Sequence, residues 1–238
     1  MVRTIYWPQW WYARWLPAKV QSGPFKGMFY PRRSTGSVLL PKLLGTYELE
    51  LHPFLEAIAA GQYEQFIDLG AGEGYYAVGL CFRFPGAAML AFESTAAGRK
   101  NILALACKNG VQKRLNILGK CEPADLSTAL KKTSRTLVIV DVEGYENLLL
   151  DPEAVPGLLD VDFLVEMHPE QVGNIVEILT GRFAESHELQ VVPQQKTRPI
   201  PATVELPAYL ARRSAYLTDE FRGPQSWLIG KTRAKARH

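Results

Sequence analysis

The sequence lacks any long apolar run. No stretch among its 238 residues approaches the ~20 apolar residues that a membrane-spanning helix needs, and residues 1–8 contain no apolar core of the signal-peptide type. Cysteine is also scarce, because Cys81, Cys107 and Cys121 are the only three and they form no C-x-x-C pair. We therefore expect a cytoplasmic protein whose cysteines pack as small apolar side chains in a reducing compartment.

Acidic residues are missing from one end of the chain. Residues 1–47 carry seven Lys or Arg and no Asp or Glu, whereas residues 48–211 carry 13 basic and 22 acidic residues. Residues 212–238 are basic again, with seven basic and two acidic side chains. Two basic ends flanking an acidic body indicate either an ordinary solvated surface or contacts with an anionic substrate or an anionic surface.

Tryptophan is concentrated in the same acid-free end. Residues 5–16 hold four of the five tryptophans, and Trp7, Trp11 and Trp15 are spaced by four, so a helix here would have one aromatic face. Such a face fits an arm docked on the protein body, a homodimer contact, a lid over a substrate, or an interfacial membrane contact. The sequence leaves these alternatives open.

The most informative stretch joins a strand to a helix through glycines. Phe66–Leu69 reads as a buried strand, glycines follow at positions 70, 72 and 74, and Tyr75–Phe84 reads as a helix. Alternate glycines permit backbone angles that a Cβ forbids and let a ligand approach the main chain closely. Strand, glycine turn and helix together form the first unit of a doubly wound α/β domain.

Asp68 discriminates among the ligands that such a turn binds. A carboxylate two positions before Gly70 would repel a pyrophosphate and would suit a cationic ligand that carries an amine. The spacing G-x-G-x-G also differs from the G-x-G-x-x-G of nicotinamide-binding domains, which disfavours a dehydrogenase. This combination resembles motif I of the class I S-adenosylmethionine-dependent methyltransferases; the alternative is that Asp68 only caps the turn.

Acidic residues and one histidine recur where later strands end. Strands are predicted at Ala88–Glu93, Arg114–Leu118, Thr136–Asp141, Val161–Val165, Glu188–Val192 and Ser226–Gly230. In a parallel sheet the carboxyl ends meet at one edge, where ligands bind. The residues at these ends are Asp68, Glu93, Asp141 with Glu143, and Glu166 with His168. Their convergence is the best argument from the sequence for an enzyme.

The motifs on the fourth and fifth strands are similar to those of the FkbM family. Asp141-Val142-Glu143-Gly144 with Leu148-Leu149, and Glu166-Met167-His168-Pro169, carry the resemblance, and Phe66–Gly74 and Phe92-Glu93 agree with it. The resemblance covers about residues 60–230. It implies S-adenosyl-L-methionine as cofactor and O-methylation, often of sugars or secondary metabolites. One departure is Gly72, where many members have Asn.

Roles follow from these motifs. The resemblance carries Asp68, Gly70, Gly72 and Glu93 over to cofactor binding and Asp141 to the boundary between cofactor and acceptor. Glu93 also lies where a doubly wound fold needs a carboxylate for ribose hydroxyls, unless it is only an exposed charge at a strand end. The predicted cofactor site comprises Tyr47, Glu48, Asp68, Gly70, Gly72, Glu93, Ser94, Glu122 and Asp141, with Glu122 or its neighbouring backbone near an adenine edge.

Catalysis is assigned to the fourth and fifth strand ends. His168 could take a proton from a hydroxyl near neutral pH, and Glu143 could do the same or orient the acceptor beside Asp141. Alternatively, His168 only caps a helix that Pro169 starts. Asp141, Glu143, Glu166 and His168 could also hold Mg or Mn, because carboxylates with one imidazole suit these ions.

The expected fold is α/β. It is a Rossmann-like, mostly parallel sheet of seven strands in the order 3-2-1-4-5-7-6, in a domain spanning residues 47–238 with an insert at about 194–225. Residues 1–46 form a basic, aromatic N-terminal extension. Thr46 is predicted to cap a helix that runs toward Ala60, and Pro169 to begin one that runs to about Thr180.

The sequence is compatible with three functions. An O-methyltransferase acting on a small-molecule or carbohydrate-like acceptor is favoured. A nucleic-acid methyltransferase would use the basic termini, but the sequence has no recognised nucleic-acid module. A noncatalytic scaffold that binds the cofactor is disfavoured by the presence of Asp141, Glu143 and His168.

Overall fold

A computed structural model describes residues 11–34, 37–130, 135–223 and 225–233. Trp7 of the predicted aromatic helix lies outside these ranges. Within them the chain forms one seven-stranded sheet. The strands are β1 Gln65–Leu69, β2 Ala88–Phe92, β3 Leu115–Leu118, β4 Thr136–Val140, β5 Asp162–Met167, β6 His187–Pro193 and β7 Ser226–Thr232.

The strand order is β3-β2-β1-β4-β5-β7-β6, which confirms the predicted order. Strand β1 pairs in parallel with β2 and with β4, and β4 pairs in parallel with β5. Only β7 is antiparallel to its neighbours β5 and β6 among the described strands. The carboxyl ends of β1, β2, β4 and β5 therefore meet at one edge of the sheet.

Helices cover both faces of the sheet. They are α1 Leu40–Leu44, α2 His52–Ala57, α3 Tyr75–Arg83, α4 Ala96–Lys108, α5 Pro123–Leu130, α6 Glu146–Leu149, α7 Ile175–Phe183, α8 Ala208–Ala211 and α9 Ser214–Leu217. Successive residues of β1 point to opposite faces, so Phe66 and Ile67 belong to two separate apolar clusters. Within the described residues, no helix is both long and apolar enough to cross a membrane.

The segment before β1 shares the core of one sheet face. Phe25, Met28 and Leu43 are buried in the same apolar cluster as Phe66. The ring of Phe25 packs edge-on against Tyr75 of α3, with the ring centres 5.3 Å apart. The division of the chain at residue 46 stays a prediction, and the segment before it contributes to the packing of the sheet.

The predicted helix starts at Thr46 and Pro169 are both wrong. Thr46 caps no helix, because Gly45 ends α1 with a left-handed φ of 75° and the buried Thr46 hydroxyl has no partner. A 3-10 turn at Leu49–Leu51 leads instead into α2, which begins at His52. The described part of the predicted aromatic helix is also short, since helical geometry covers only residues 11–13.

Pro169 does not begin a helix either. Helix α7 starts at Ile175, and the backbone N–H groups of Gln171 and Val172 both donate to the His168 carbonyl in a turn. Gly173, a poor helix residue, separates this turn from the helix. His168 therefore caps nothing with its side chain, which leaves the imidazole available for other contacts.

A substitution at Gly230 would test the packing between the antiparallel strands β5 and β7. A Cβ at this position would lie 2.2 Å from Cζ of Phe163, whose ring is packed against Phe183 with centroids 4.7 Å apart. We expect Gly230→Ala to lower the free energy of unfolding by about 1–3 kcal/mol through overpacking. Gly181→Ala is the control, because a Cβ there meets nothing within 4 Å and a helix gains up to about 1 kcal/mol from alanine. Urea unfolding measures both, and equal stabilities would contradict the packing described.

Candidate active site at the carboxyl edge of the sheet

A cavity of about 700 Å³ opens at the carboxyl ends of the parallel strands. Its walls come from the glycine turn after β1, the ends of β2, β4 and β5, the segment before β1, and the insert. Predicted site residues that line it are Tyr47, Asp68, Gly70, Gly72, Glu93, Ser94, Asp141, Glu143, Glu166 and His168. The fold thus brings most of the predicted site into one cavity.

The glycine turn lies directly against the end of β4. Gly70 has a left-handed φ of 86°, and a Cβ on it would stand 1.8 Å from the carbonyl oxygen of Asp141. At Gly72, in contrast, a Cβ would meet only the Gly70 oxygen, at 3.9 Å, although the left-handed φ of 55° still favours glycine. One glycine therefore permits close packing, and the next leaves its side of the turn open to the cavity.

Asp68 is a buried carboxyl with unused bonding capacity. Its Oδ2 has no hydrogen-bond partner. Burial first, and then the nearby charge of Asp141, raise the pKa of Asp68 to about 8. The group is therefore mostly uncharged at neutral pH in the free protein, and a cationic ligand in the cavity would favour its ionised form.

Glu93 is held by hydrogen bonds rather than left exposed at its strand end. One carboxylate oxygen accepts from the Gly72 backbone N–H at 2.9 Å, and the other accepts from the N–H and the hydroxyl of Thr95, each at 2.7 Å. The side chain is buried beside Ser94, which also lines the cavity. Glu93 thus faces the glycine turn with its position set by the backbone.

His168 is oriented by a residue that the sequence analysis missed. Its Nδ1 lies 2.6 Å from Oε1 of Glu146, and both side chains are almost wholly buried. The same oxygen accepts the Gly144 N–H at 3.1 Å, so an acceptor is fixed at this place and Nδ1 is the donor. The other ring nitrogen, Nε2, then faces Asp141 and Glu143. The only sequence signal for Glu146 was its place three residues after Glu143.

Asp141 and Glu143 flank the free nitrogen of His168. Nε2 lies 3.6 Å from Oδ1 of Asp141 and 3.7 Å from Oε2 of Glu143. Burial, followed by the charge of Glu48, raises the pKa of Asp141 to about 7. Burial lowers the pKa of His168, but the Glu146 hydrogen bond and the surrounding carboxylates outweigh it, and the net shift is upward. An imidazole and a carboxyl, both with raised pKa values, are therefore close together.

The predicted metal set is only partly assembled. Atoms of Asp141, Glu143 and His168 lie within 4.8 Å of one another, close enough to share a cation. Glu166 lies apart from this group and binds the Arg222 guanidinium at 2.9 Å instead. Metal binding by the remaining three residues stays a prediction.

Arg222 of the insert was missed and stands in one wall of the cavity. Its guanidinium lies 3.1 Å from Glu48, 2.9 Å from Glu166 and 2.9 Å from Glu220. Burial raises the pKa of Glu166 to about 10 and that of Glu220 to about 7, although Arg222 opposes both shifts. Nothing in the sequence pairs Arg222 with an acid more than 50 residues away.

Two predicted cofactor contacts receive no support. Glu48 is buried and turned into the Arg222 cluster, where it also accepts a hydrogen bond from the Tyr76 hydroxyl, and it does not line the cavity. Glu122 is exposed, outside the cavity walls, and pairs with Lys120 at 2.9 Å while the Tyr145 hydroxyl donates to it at 2.8 Å. Both side chains are occupied by protein partners.

The glycine turn is also tied to the segment before β1. Glu73 accepts hydrogen bonds from the Tyr30 hydroxyl at 2.5 Å and from Lys42 Nζ at 2.7 Å, and it also accepts one from Ser34. The buried Lys42 ammonium lies over the Tyr47 ring, 4.9 Å from its centroid. Through these contacts the N-terminal segment covers one side of the cavity. The position of Glu73 between two glycines in the sequence does not reveal this role.

Backbone strain is concentrated at this site. Among the described non-glycine residues, Glu48, Glu143 and Phe221 have left-handed φ values of 49°, 51° and 50°. Two of the three line the cavity, and Glu48 lies behind its wall on Arg222. Such conformations cost of order 1–3 kcal/mol each and persist where surrounding contacts hold them, most often at functional sites.

Comparison with solved structures identifies the fold. A protein from Clostridium thermocellum provisionally described as an rRNA-methylase aligns with a TM-score of 0.52 and 10% identity, over 79% of this chain and 97% of that one. The targeted domain of a provisional precorrin-6Y C5,15-methyltransferase from Corynebacterium diphtheriae aligns with a TM-score of 0.50 and 12% identity, over 80% of this chain and 99% of that one.

The chain has the Rossmann-like fold of class I methyltransferases. At these identities the likeness is one of fold alone. No protein-family model matches the sequence, and a search of curated proteins finds no similar one. Residue roles therefore depend on the geometry of the site.

The contact between Glu146 and His168 can be tested through the pKa of His168. Because Glu146 raises the pKa of His168, we expect Glu146→Gln to lower that pKa, as read from the imidazole proton shifts in NMR. His187 is the internal control, since burial lowers its pKa, its ring bonds the Val161 carbonyl, and the charges acting on it are Asp162 and Asp160 rather than Glu146. An unchanged His168 titration, or an equal shift at His187, would contradict the assigned hydrogen bond.

Proposed function

We propose that this protein is an S-adenosylmethionine-dependent methyltransferase that methylates a hydroxyl group. The observation that carries the proposal is the convergence of Asp68, Glu93, Asp141 and His168 from four parallel strands on one cavity beside the glycine turn. The class I methyltransferase fold supports the reaction class.

The residues present fit the cofactor. Asp68 offers a buried carboxylate oxygen without a partner, which a cationic amine would satisfy. Gly72 leaves the turn open, and Glu93 presents a carboxylate fixed by the Gly72 and Thr95 N–H groups, suited to ribose hydroxyls. The cofactor, when bound, supplies a methyl group on a positively charged sulfur. Asp68, Glu93 and Ser94 would hold it, with Asp141 at its boundary.

His168 is the proposed general base. Its Nδ1 proton is engaged by Glu146, so in the neutral ring Nε2 carries the free lone pair and faces Asp141 and Glu143. An acceptor hydroxyl in this space would donate its proton to Nε2, and the imidazole would hold that proton. Glu146 acts as a positioning residue, because it fixes the tautomer and stabilises the imidazolium that forms.

Two walls of the cavity would exclude water and orient the acceptor. The Lys42–Glu73 pair closes the side formed by the N-terminal segment, and Arg222 closes the side formed by the insert. Orientation and the exclusion of water are most of what methyl transfer requires from a protein. Both walls therefore support an enzyme. A noncatalytic scaffold that only binds the cofactor would need neither an enclosed acceptor space nor a base.

The acceptor class follows from the sequence resemblance. The FkbM-like motifs at Asp141–Gly144 and Glu166–Pro169 favour O-methylation of a sugar or a secondary metabolite. The pairing of His168 with a buried Glu146 supports an acceptor whose hydroxyl must lose a proton. Membership in the FkbM family is part of the proposal.

Cofactor binding should depend on pH. Asp68 and Asp141, with pKa values of about 8 and about 7, are partly protonated in the free protein, and a cationic ligand favours their ionised forms. Binding should therefore release protons, and the Kd for S-adenosylmethionine should fall as the pH rises from about 6 to about 8, by at most ~10-fold per unit for each carboxyl.

Isothermal titration calorimetry in buffers of different ionisation enthalpy measures both the Kd and the released protons. We expect Asp68→Asn to weaken binding and to flatten its pH dependence. Glu188→Gln, on an exposed site of β6, is the control and should behave as wild type. A pH-independent Kd in the wild-type protein would contradict the assigned role of the two aspartates.

If His168 is the general base, its substitution should lower the rate of methyl transfer without weakening cofactor binding. His168→Gln should lower kcat by about 10²–10⁴-fold, the usual contribution of a general base, while the calorimetric Kd for S-adenosylmethionine stays close to that of wild type. Glu146→Gln should lower kcat less and should shift the pH profile. Transfer of a radiolabelled methyl group to hydroxylated acceptors, sugars first, provides the assay. Full activity of His168→Gln would remove His168 from the mechanism.

A further inference from the structure

A cluster of exposed aromatic and arginine side chains lies outside the cavity. Trp11, Trp15 and Tyr209 expose 51%, 57% and 49% of their surface, respectively, although large aromatic residues are usually buried. Arginines stand beside them on the same two segments of chain. We call the following set the aromatic–arginine patch: Trp11, Arg14, Trp15, Tyr209, Arg212 and Arg213.

The fold builds this patch by packing the N-terminal segment against the insert. Tyr12 meets Tyr216 edge-on with ring centroids 6.1 Å apart, and Trp15 meets Tyr209 in the same way at 6.2 Å. The small and aliphatic residues of these segments, such as Ala13, point inward and are buried. The segments are therefore already anchored, and the exposed rings are not needed to attach them.

The patch carries only positive charge. Residues 11–18 and 207–217 contain no Asp or Glu, whereas Arg14, Arg212 and Arg213 are all exposed. Three cations among aromatic rings attract a negatively charged partner. Charge complementarity thus selects an anionic surface, and the exposed rings indicate that this surface has an apolar layer.

The ring geometry suits a lipid surface better than a nucleic acid, because each of these rings already has one face or edge engaged within the protein. Base stacking requires a free aromatic face. The Arg14 guanidinium lies 4.6 Å from the Trp11 ring centroid, and that of Arg213 lies 5.7 Å from the Tyr12 centroid. Trp15 and Tyr209 face each other edge to face at 84°. Insertion among lipid headgroups needs only apolar ring edges with cations beside them, which this arrangement offers.

We infer that the aromatic–arginine patch docks the protein onto a membrane surface that contains anionic phospholipids. The tryptophan and tyrosine rings enter the interfacial layer, and Arg14, Arg212 and Arg213 pair with lipid phosphates. A chain of ring contacts joins the patch to the cavity: Arg213 lies over Tyr12, Tyr12 packs on Tyr216, and Tyr216 packs at 5.3 Å on Phe221, which lines the cavity. Docking places the cavity next to the lipid headgroups.

Vesicle sedimentation with the full chain tests this inference without cofactor or acceptor. Wild-type protein is mixed with vesicles of phosphatidylcholine alone, or of phosphatidylcholine with phosphatidylglycerol. Two patch variants, Trp11→Ala/Trp15→Ala and Arg212→Gln/Arg213→Gln, are compared with Leu103→Ala/Lys100→Gln. That control removes an equally exposed apolar residue and a cation from α4. Circular dichroism and thermal unfolding check that every variant is folded.

We expect binding to the anionic vesicles only, weakened on the order of 10-fold or more by each patch variant and left unchanged in the control. Added salt should weaken it further. Absence of binding, equal binding to neutral vesicles, or full binding by both patch variants would overturn the inference. So would patch-dependent binding of a single-stranded oligonucleotide without vesicle binding. None of these results bears on methyl transfer, because the cofactor is left out.

Discussion

The architecture of the site depends on the contacts between the Arg222 guanidinium and three acidic side chains. The guanidinium lies within 3.1 Å of Glu48, Glu166 and Glu220, which come from the segment before β1, from β5 and from the insert. The guanidinium draws acidic groups from three segments together, because a buried cation needs partners that accept its hydrogen bonds, even though burial raises the pKa of Glu166 to about 10. Arg198 extends the cluster with a contact to Glu220 at 3.2 Å. One residue of the insert thus shapes a wall of the cavity.

The carboxyl edge of the sheet is electrostatically divided. Beside Arg222 the acidic groups have a guanidinium as partner, although burial still raises the pKa of Glu166 and of Glu220. Around the glycine turn Asp68 and Asp141 face the cavity with raised pKa values and no arginine of their own. A site that leaves carboxylates uncompensated in this way is suited to a ligand that brings its own positive charge. The same division explains why Glu166 belongs to the wall, whereas Asp141 belongs to the proposed reaction centre.

The sequence located the structural elements of this edge where the signal was local. The glycine turn, the strands and the acids at their ends could be located because hydrophobic periodicity and glycine spacing act over a few residues. It failed where a distant contact decided the outcome. Glu48 looked available for the cofactor but is turned toward Arg222, and Pro169 looked like a helix start but begins a turn on the His168 carbonyl. Glu146 gave little signal, since only its contact with His168 reveals a role.

The sequence by itself determined the succession of strands and helices, the parallel sheet and the convergence of acids at one edge, because these follow from short-range patterns. Only the tertiary structure decided which of these acids stays available. Glu146 is 22 residues from His168, and Arg222 is 174 from Glu48, so their pairing depends on how the whole chain folds. A side chain's charge and orientation are set by such neighbours, and no local pattern records them.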